Sequence, residues 1–502
     1  MKYFLLTPFL VMMISAHAQT RIEAQTDSLN KEARSFLNAS KFAEALQVAL
    51  TAKTLAAEHL GESHPSFIAG CNLEANACWR LGNYDQAVKA CREGMDQELK
   101  ARGKATAEYA GLLHMLATLE LEMAHYQQAE LDFIECLDLR EKIFGKNSAE
   151  YAMSLNNLGN LYSNQGQLDK ALLCHQEAKQ IREAVLGKES SGYAMSLGNL
   201  GMLSFRMGAY EKSLAYTAES AAIMENAFGK GHPFVSIGAH NMAITHTALG
   251  QYRQAELKFK EALEMVAATQ GAEHPQYAFI LNDLGSFYDQ LGQTEKALDY
   301  FNRSLLLKEK SLGKEHNYTL VTLGNMAKVY QESGRHEEAA SIYLDLGETY
   351  RKNYGFDHIE NLVYQNNLAN IYIETGDCGK ADSLHREILR IRQTKLGKDH
   401  PDCAQSLIGL ANSLRCAGAL EASKATAKEA LELLTSAFGE NHLLAAINHQ
   451  LLAELGWELG QSDYSLSQAN HTNDILRSLL VNSAKHLRSN ELQLNLLNHQ
   501  KR

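Results

Sequence analysis

The stretch AMSLNNLGNLYSNQGQLDKALLCHQEAKQIREAVLG, from Ala152 to Gly187, decides how this chain folds. On either side of Gly166, apolar and small residues return every three or four positions, which is the spacing of an amphipathic α-helix. Gly166 interrupts this pattern and Gly187 ends it, and glycine closes helices because it adopts positive φ without steric cost. The stretch is therefore predicted to form two antiparallel helices, here called helix A and helix B.

The same pattern returns along almost the whole chain at an interval of 42 residues. A glycine ends helix B in ten consecutive units, at Gly61, Gly103, Gly145, Gly187, Gly229, Gly271, Gly313, Gly355, Gly397 and Gly439. A second column marks the turn between the two helices and is interrupted only by Ala124, with Gly82, Gly166, Gly208, Gly250, Gly292, Gly334, Gly376, Gly418 and Gly460. Repeats of this length stack and bury a continuous core between them. We predict an all-α fold, an α-solenoid of about eleven antiparallel helix hairpins.

Two further columns hold small residues, which allow the helices to approach closely. Helix A carries Ala75, Ala117, Gly159, Gly201, Ala243, Gly285, Ala327, Ala369, Ala411 and Ala453. Helix B carries Ala87, Ala129, Ala171, Ser213, Ala255, Ala297, Ala339, Ala381 and Ser423. These columns resemble the tetratricopeptide repeat, and the 42-residue period is most similar to the repeats of kinesin light chain and its bacterial relatives. The resemblance covers about residues 22–480 and implies a right-handed superhelix that binds protein or peptide segments in its concave groove.

A column rich in histidine follows the glycines that end helix B. Its members are His64, Thr106, Ser148, Ser190, His232, His274, His316, His358, His400 and His442. Catalysis or metal binding would not tolerate threonine or serine in place of imidazole, whereas threonine and serine are preferred helix N-caps. Proline, which is favoured at the first helical position, follows four members as Pro65, Pro233, Pro275 and Pro401. We predict that the column caps helix A in each unit.

Residues 1–18 are predicted to be a secretory signal peptide, since Lys2 precedes an apolar run that ends near a small-x-small site at Ala16–Ala18. No later segment approaches the roughly 18 apolar residues of a membrane span. We expect an exported protein, and with the resemblance this indicates the periplasm of a Gram-negative bacterium. Residues 22–480 are predicted to form the repeat array and 481–502 a C-terminal helical extension. Val481 stands where the next glycine would fall, so the last helix is expected to run past it.

The formal net charge of −11 at pH 7 provides no basic stripe, so nucleic acid is not an expected partner. The eight cysteines contain no CxxC pair, and most are expected to be small buried apolar residues. Cys78 and Cys91 occupy facing positions of helices A and B in one hairpin. They are the pair we nominate for a disulfide in an oxidising compartment.

No catalytic constellation is visible in the sequence. It contains no HExxH, GxSxG or GxxxxGK motif, and no acid or cysteine accompanies a fixed histidine. We predict a non-enzymatic protein with no cofactor and no metal site. The basic residues of the clamp that binds chaperone C-termini are also missing, so a chaperone tail is not the expected ligand.

A column of amide side chains is the strongest candidate for a peptide-binding groove. It consists of Asn157, Asn199, Asn241, Asp283, Asn325 and Asn367, each one residue before a buried position of helix A. An amide both donates and accepts, so such a ladder can bind an extended backbone without reading its sequence. The resemblance implies the same role, because asparagines at matching positions of kinesin-light-chain-like repeats contribute to peptide grooves. The alternative is that these amides only bridge neighbouring helices.

An apolar column runs beside the amides, and two interpretations of it are open. It contains Met153, Met195, Ile237, Phe279, Val321 and Val363. A stripe at helical spacing is usually core between repeats. If it is exposed, it would supply pockets for the side chains of a partner.

Two functions from different classes fit this sequence. The first is an exported scaffold that binds protein or peptide segments in the concave groove. The second is the sensor half of a split or truncated protease, because the tail SLLVNSAKHLRSNELQLNLLNHQKR is similar to the helix that follows repeat arrays in bacterial proteins with a caspase-like CHAT domain. The catalytic histidine and cysteine of such a domain have no counterpart in this chain.

Overall fold

The computed structural model describes the backbone of residues 6–440 and 442–478, and all of its regular structure is helical. The helices are α1 (Leu6–Asn38), α2 (Phe42–His59), α3 (Pro65–Arg80), α4 (Tyr84–Ala101), α5 (Ala107–Glu122), α6 (Tyr126–Phe144), α7 (Ala149–Asn164), α8 (Leu168–Leu186), α9 (Ser191–Arg206), α10 (Tyr210–Phe228), α11 (Pro233–Ala248), α12 (Tyr252–Thr269), α13 (Pro275–Gln290), α14 (Thr294–Ser311), α15 (Asn317–Glu332), α16 (His336–Asn353), α17 (Ile359–Glu374), α18 (Cys378–Leu396), α19 (Pro401–Cys416), α20 (Leu420–Phe438) and α21 (Leu443–Glu458). Residues 462–478 are also helical and pair with α21 as the eleventh hairpin. Odd-numbered helices are helix A of each hairpin and even-numbered ones helix B. The predicted all-α fold of eleven hairpins is confirmed.

The chain divides into two compact units, Met1–Thr322 and Leu323–Arg502. Inside each unit the hairpins stack in sequence order: each helix from α1 to α13 packs against the next one along the chain, and so does each helix from α16 to α20. Consecutive helices A also contact each other, for example α7 with α9 and α17 with α19, whereas consecutive helices B lie farther apart over the described residues. The row of hairpins therefore curves, and helices A line its inner side.

Each predicted helix stop uses a left-handed backbone conformation. Gly187 ends α8 with φ of 82°, and Gly166 turns the chain between α7 and α8 with φ of 71°. Ala124, the only interruption in the turn column, adopts the same conformation with φ of 58°. The left-handed conformation costs a residue with a Cβ about 1–2 kcal/mol. Ala124 is therefore held in it by the packing of the two helices that it joins.

Exchanging the residues at these two equivalent turns should have opposite effects. Ala124→Gly removes the steric cost and is expected to stabilise the protein by roughly 1 kcal/mol, while Gly166→Ala introduces it and destabilises by a similar amount. At Gly208, the equivalent turn of the next hairpin, no atom lies within 4 Å of a built Cβ, so the cost of a side chain at such a turn is one of backbone conformation. Urea denaturation followed by circular dichroism measures both. Midpoints that shift in the same direction would contradict this account.

Helices A and B touch where a small residue of helix A faces a larger one of helix B. A Cβ on Gly159 would lie 2.8 Å from Cε1 of His175, and one on Gly285 would lie 2.8 Å from the ring of Phe301. His175 is 1% exposed and Phe301 also 1% exposed, so both fill the space between the helices completely. The column of small residues, which the sequence predicts to lie at the helix contact, therefore leaves space for one large side chain of helix B.

Buried cationic side chains connect neighbouring hairpins at four of the joints. Arg182 donates to the carbonyl of Gly192 over 3.3 Å and to the hydroxyl of Ser196 over 3.0 Å. The other three make the same pair of bonds at the same sequence separations: Arg140 to Glu150 and Ser154, Lys308 to Tyr318 and Thr322, and Arg392 to Asp402 and Ser406. Burial lowers the pKa of Lys308 to about 8. These bonds fix the loop that carries helix B into the following helix A.

The predicted N-caps are confirmed. Ser148 accepts a hydrogen bond from the amide of Tyr151 over 3.2 Å, three residues ahead. The histidines cap differently, because Nδ1 of His400 accepts from the amide of Asp402, only two residues ahead, over 3.1 Å. A ring nitrogen that accepts a hydrogen bond carries no proton, so Nδ1 is the unprotonated ring atom in this capping geometry. The four prolines stand at the first turn of their helices, as expected.

The nominated cysteine pair is wrong. Cys78 and Cys91 are buried free thiols, and burial raises the pKa of each to about 12. They pack as small apolar groups inside the second hairpin. The disulfide instead joins Cys378 and Cys416, whose Cα atoms are 5.6 Å apart. Cys378 begins α18 and Cys416 ends α19, so the bond links the turns of two neighbouring hairpins, which stacking places side by side.

The predicted segment boundaries lie near the ends of the described chain. α1 runs from Leu6 to Asn38, through the expected cleavage point after Ala18. Val481 and the predicted extension 481–502 lie outside the described residues, so these predictions remain open. Among the described helices, none combines the length and hydropathy required to cross a bilayer.

Candidate functional site

The inner surface of helices A carries exposed apolar side chains. Met153 is 39% exposed, Met195 43% and Ile237 38%, all in the first unit, and Val363 is 39% exposed in the second. Phe279 and Val321 of the same column are half-buried. The column is therefore not closed core, and the second of the two interpretations, side chains accessible to a partner, fits the structure.

The amide column lies one helical turn further along the same face. All six of its members, Asn157, Asn199, Asn241, Asp283, Asn325 and Asn367, are half-buried. Their hydrogen bonds, however, differ from repeat to repeat. The column therefore does not act as one uniform ladder, and each position has to be considered by itself.

Three members bind to neighbouring helices of the array. Asn157 donates to Nε2 of His114 in the preceding repeat over 3.0 Å. Asp283 accepts a hydrogen bond of 2.8 Å from Nε2 of His240, which stands in the repeat before Asp283 just as His114 stands in the repeat before Asn157. In the second unit, Asn367 donates to the hydroxyl of Tyr343 over 3.2 Å. Asn325 is also engaged within the protein. At these positions the side chains stabilise the stacking of repeats.

Asn199 and Asn241 differ from the others. Neither side chain hydrogen-bonds to another residue in the described part of the chain, although both are half-buried. The repeat position that holds His114 and His240 elsewhere is Gly198 before Asn241, so the bridging partner is missing there. The side-chain donors and acceptors of these two amides are therefore not used by another described residue.

The amide column ends in the tenth hairpin, where the buried imidazole ring of His385 occupies the space that a side chain would need. Gly409 occupies the next position after Asn367, and any side chain at Gly409 would overlap the imidazole of His385. His385 is fully buried. The face thus loses its polar side chain in the tenth hairpin for a packing reason.

Met202 extends the apolar part of the face and was not among the predicted residues. It is 46% exposed and lies one repeat after Asn160, which is also exposed. Its spacing of seven residues from Met195 places both methionines on the same side of α9. In the sequence, the signal for Met202 is an apolar residue seven positions after Met195. Together, Met195, Met202 and Ile237 surround the two free amides with flexible apolar surface, which adapts to varied side chains.

Charges on this face are mostly paired inside the protein. Burial alone would raise the pKa of Asp283, but the hydrogen bond and charge of His240 outweigh it and hold the pKa below its ordinary value. Burial, assisted by the charge of Arg140, lowers the pKa of His114 to about 3. His114 is therefore neutral at pH 7 and can accept the hydrogen bond from Asn157.

Several buried histidines make the fold sensitive to acid. Burial lowers the pKa of His175, His316 and His385 to about 4 in the folded chain, against about 6.5 when unfolded. Below about pH 6.5 the unfolded chain takes up protons that the folded chain does not, so stability is complete above this pH and is lost as pH falls toward 4.

We predict that the urea midpoint decreases between pH 7 and 4.5, and that His175→Phe reduces this decrease. Phenylalanine is a fitting substitute because Phe301 occupies the same repeat position opposite Gly285, as His175 does opposite Gly159. The control is His59→Gln, at a side chain that is 50% exposed, and it should leave the pH dependence unchanged. An unaltered dependence in His175→Phe would contradict the assignment.

No group of three or more histidine, cysteine or acidic side chains in the described residues is arranged to hold a metal ion. What the inner face offers is apolar contact area and two uncommitted amides, which suit noncovalent binding.

A family model described as tetratricopeptide repeat matches residues 108–184, 192–268, 240–310, 276–352 and 360–436, more than half of the chain. The chain belongs to the tetratricopeptide repeat family. The period, columns and caps set out above are the form that this repeat takes here.

Solved structures with similar repeats are distant in sequence. A kinesin light chain-type protein of Podospora anserina with nearly identical repeats is 22% identical, over 41% of this chain and 97% of its own, with a TM-score of 0.36. BtubC of P. vanneervenii is 20% identical over 51% and 93%, with a TM-score of 0.38. A Rap protein complexed with Competence and Sporulation Factor is 14% identical over 82% and 98%, with a TM-score of 0.45. No curated protein sequence matches this chain significantly.

Proposed function

We propose that this chain is an exported, non-enzymatic scaffold that binds an extended protein segment along the inner face of helices A. The observation that carries the proposal is the pair of uncommitted amides, Asn199 and Asn241, between the exposed side chains of Met195, Met202 and Ile237. Repeats one after another present the same backbone geometry, so an extended chain can meet one amide per repeat. The apolar side chains would then receive alternate side chains of the partner.

Removing the two amides should weaken binding without loosening the fold. In Asn199→Ala/Asn241→Ala, two hydrogen bonds of about 0.5–1.5 kcal/mol each are lost, so affinity for a peptide selected from a displayed library should fall roughly tenfold. The melting temperature should stay near that of the wild type, because neither amide bonds to the protein. Fluorescence anisotropy with a labelled peptide and a thermal melt measure both.

The matched control replaces the bridging amides. Asn157→Ala/Asn367→Ala removes two amides of the same column that bind His114 and Tyr343, so it should lower the melting temperature. A second control compares Met195→Glu on the inner face with Leu173→Glu on helix B, where Leu173 is 66% exposed. Only the first should weaken the peptide. Unchanged affinity in both Asn199→Ala/Asn241→Ala and Met195→Glu would exclude this face as the binding surface.

Export is supported by two features of the chain. The first 18 residues have the organisation of a signal peptide, and the disulfide between Cys378 and Cys416 is of a kind that persists in oxidising compartments. The protease-sensor alternative rests on the tail 478–502, of which residues 479–502 lie outside the described part of the chain, and no observation in the described residues favours it.

Mass spectrometry of the protein from intact cells of its source tests export. We expect a mature chain that begins at Gln19. Alkylation after denaturation should label Cys71, Cys78, Cys91, Cys136, Cys174 and Cys403 at once, and Cys378 and Cys416 only after reduction. A chain that retains Met1 and labels at all eight cysteines before reduction would show that the protein stays in a reducing compartment.

A further inference from the structure

The first unit contains a cavity between hairpins that are far apart in sequence. Turns of the first three hairpins form one wall, and the starts of α13 and α15, with part of α11, form the other. The hydroxyl of Ser40 lies 3.1 Å from Nε2 of His274 and joins the two walls across 234 residues. The side chain of His316 bonds to the backbone carbonyl of Arg80 and makes a second connection. His274 and His316 are both capping histidines of helices A.

The cavity has a volume of about 350 Å³, which lies within the range of small-molecule sites. Its walls are mainly aromatic and aliphatic, with Phe42, Trp79, Tyr84, Ile237, Phe279, Leu312 and Tyr318. This size and lining suit one aromatic group. An extended peptide would need a longer channel.

Most polar side chains around the cavity already have partners. His240 bonds to Asp283 over 2.8 Å, and Gln276 donates to Ser236 over 2.9 Å. Two charged side chains, Arg80 and Glu122, make no hydrogen bond to another described residue.

Arg80 and Glu122 hold opposite charges at equivalent places. Each is the last residue of its helix A, in α3 and α5, so they lie on neighbouring repeats along one wall. The guanidinium of Arg80 lies 4.3 Å from the centroid of the Trp79 ring, and Arg80 is an exposed residue of the cavity lining. Burial raises the pKa of Glu122, and the positive charge of Arg80 opposes the shift. A ligand that brings one charge of each sign would satisfy both side chains.

We propose that this cavity binds a free amino acid, or a compound with the same zwitterionic head, that carries an aromatic side chain. The carboxylate would bind Arg80, the ammonium group Glu122, and the ring would pack among Trp79, Phe279 and Tyr318. A ligand with only a carboxylate would set a second negative charge beside Glu122, and one with only an ammonium group would set a second positive charge beside Arg80. Both charges are therefore needed for tight binding. This site is separate from the proposed peptide function, although Ile237 belongs to both surfaces.

Trp79 can report on binding directly. The chain has two tryptophans, and Trp457 is 72% exposed and lies in the other unit, so Trp457→Phe leaves Trp79 as the only indole. The emission of Trp79 is titrated with L-phenylalanine, phenethylamine and 3-phenylpropionate, which share a ring and differ in charge. We expect a saturable change with L-phenylalanine and at least tenfold weaker binding of the other two.

Charge-removing variants then assign the two ends of the ligand. In Arg80→Gln, phenethylamine should bind as well as L-phenylalanine, and in Glu122→Gln, 3-phenylpropionate should do so. The control is Arg206→Gln, at the same repeat position of the fifth hairpin, where Arg206 bonds to Ser163 and Asn164. It should leave all three titrations unchanged.

Two results would overturn the proposal. One is the absence of any saturable change with L-phenylalanine in a protein whose melting temperature matches the wild type. The other is binding of all three probes with equal affinity, or binding that neither Arg80→Gln nor Glu122→Gln alters, since the cavity would then take the ring without its charged head. Loss of peptide binding in Asn199→Ala/Asn241→Ala is independent of both results, so the two functions can fail separately.

Discussion

The close contact between helix A and helix B inside each hairpin is the constraint on which the rest of the structure depends. One large side chain of helix B, such as His175 or Phe301, sits against a residue of helix A that has no room for a larger group. This contact uses one side of helix A completely. The opposite side is left to line the inner surface, where the apolar and amide columns lie. Core packing and the binding surface therefore come from the same helix and follow the same period.

Stacking of hairpins adds polar interactions that are buried and specific. Arg182 and its counterparts carry a positive charge into the joint and satisfy a carbonyl and a hydroxyl there. Such a group is costly to bury unless its hydrogen bonds are made, so it favours one register of hairpin on hairpin. The bridging amides act in the same way on the inner face. The part of the inner face that takes no part in stacking remains accessible.

The capping histidines show how one residue acquires two roles. In every repeat that has one, the ring accepts a hydrogen bond from the start of helix A. Where the hairpins of the first unit come back toward their beginning, His274 also bonds to Ser40 and His316 to the backbone of Arg80. These contacts lie at the cavity, which is distinct from the inner face of helices A.

The sequence by itself determined the repeat, the hairpin count, the helix ends and the caps, because each depends on interactions within about four residues or on a strict period. Gly187 and Ser148 act through local backbone geometry, which is readable from residue type and spacing. Only the tertiary structure decided which amides make no hydrogen bond within the described part of the protein. The side chain of Asn241 has no partner of this kind because Gly198 occupies the position where other repeats have a histidine. The tertiary structure also decided which cysteines pair, because Cys378 and Cys416 meet through stacking of hairpins, while Cys78 and Cys91 are buried free thiols. The cavity depends on the curvature of a whole unit, a sum of many small rotations between repeats that no single stretch of sequence encodes.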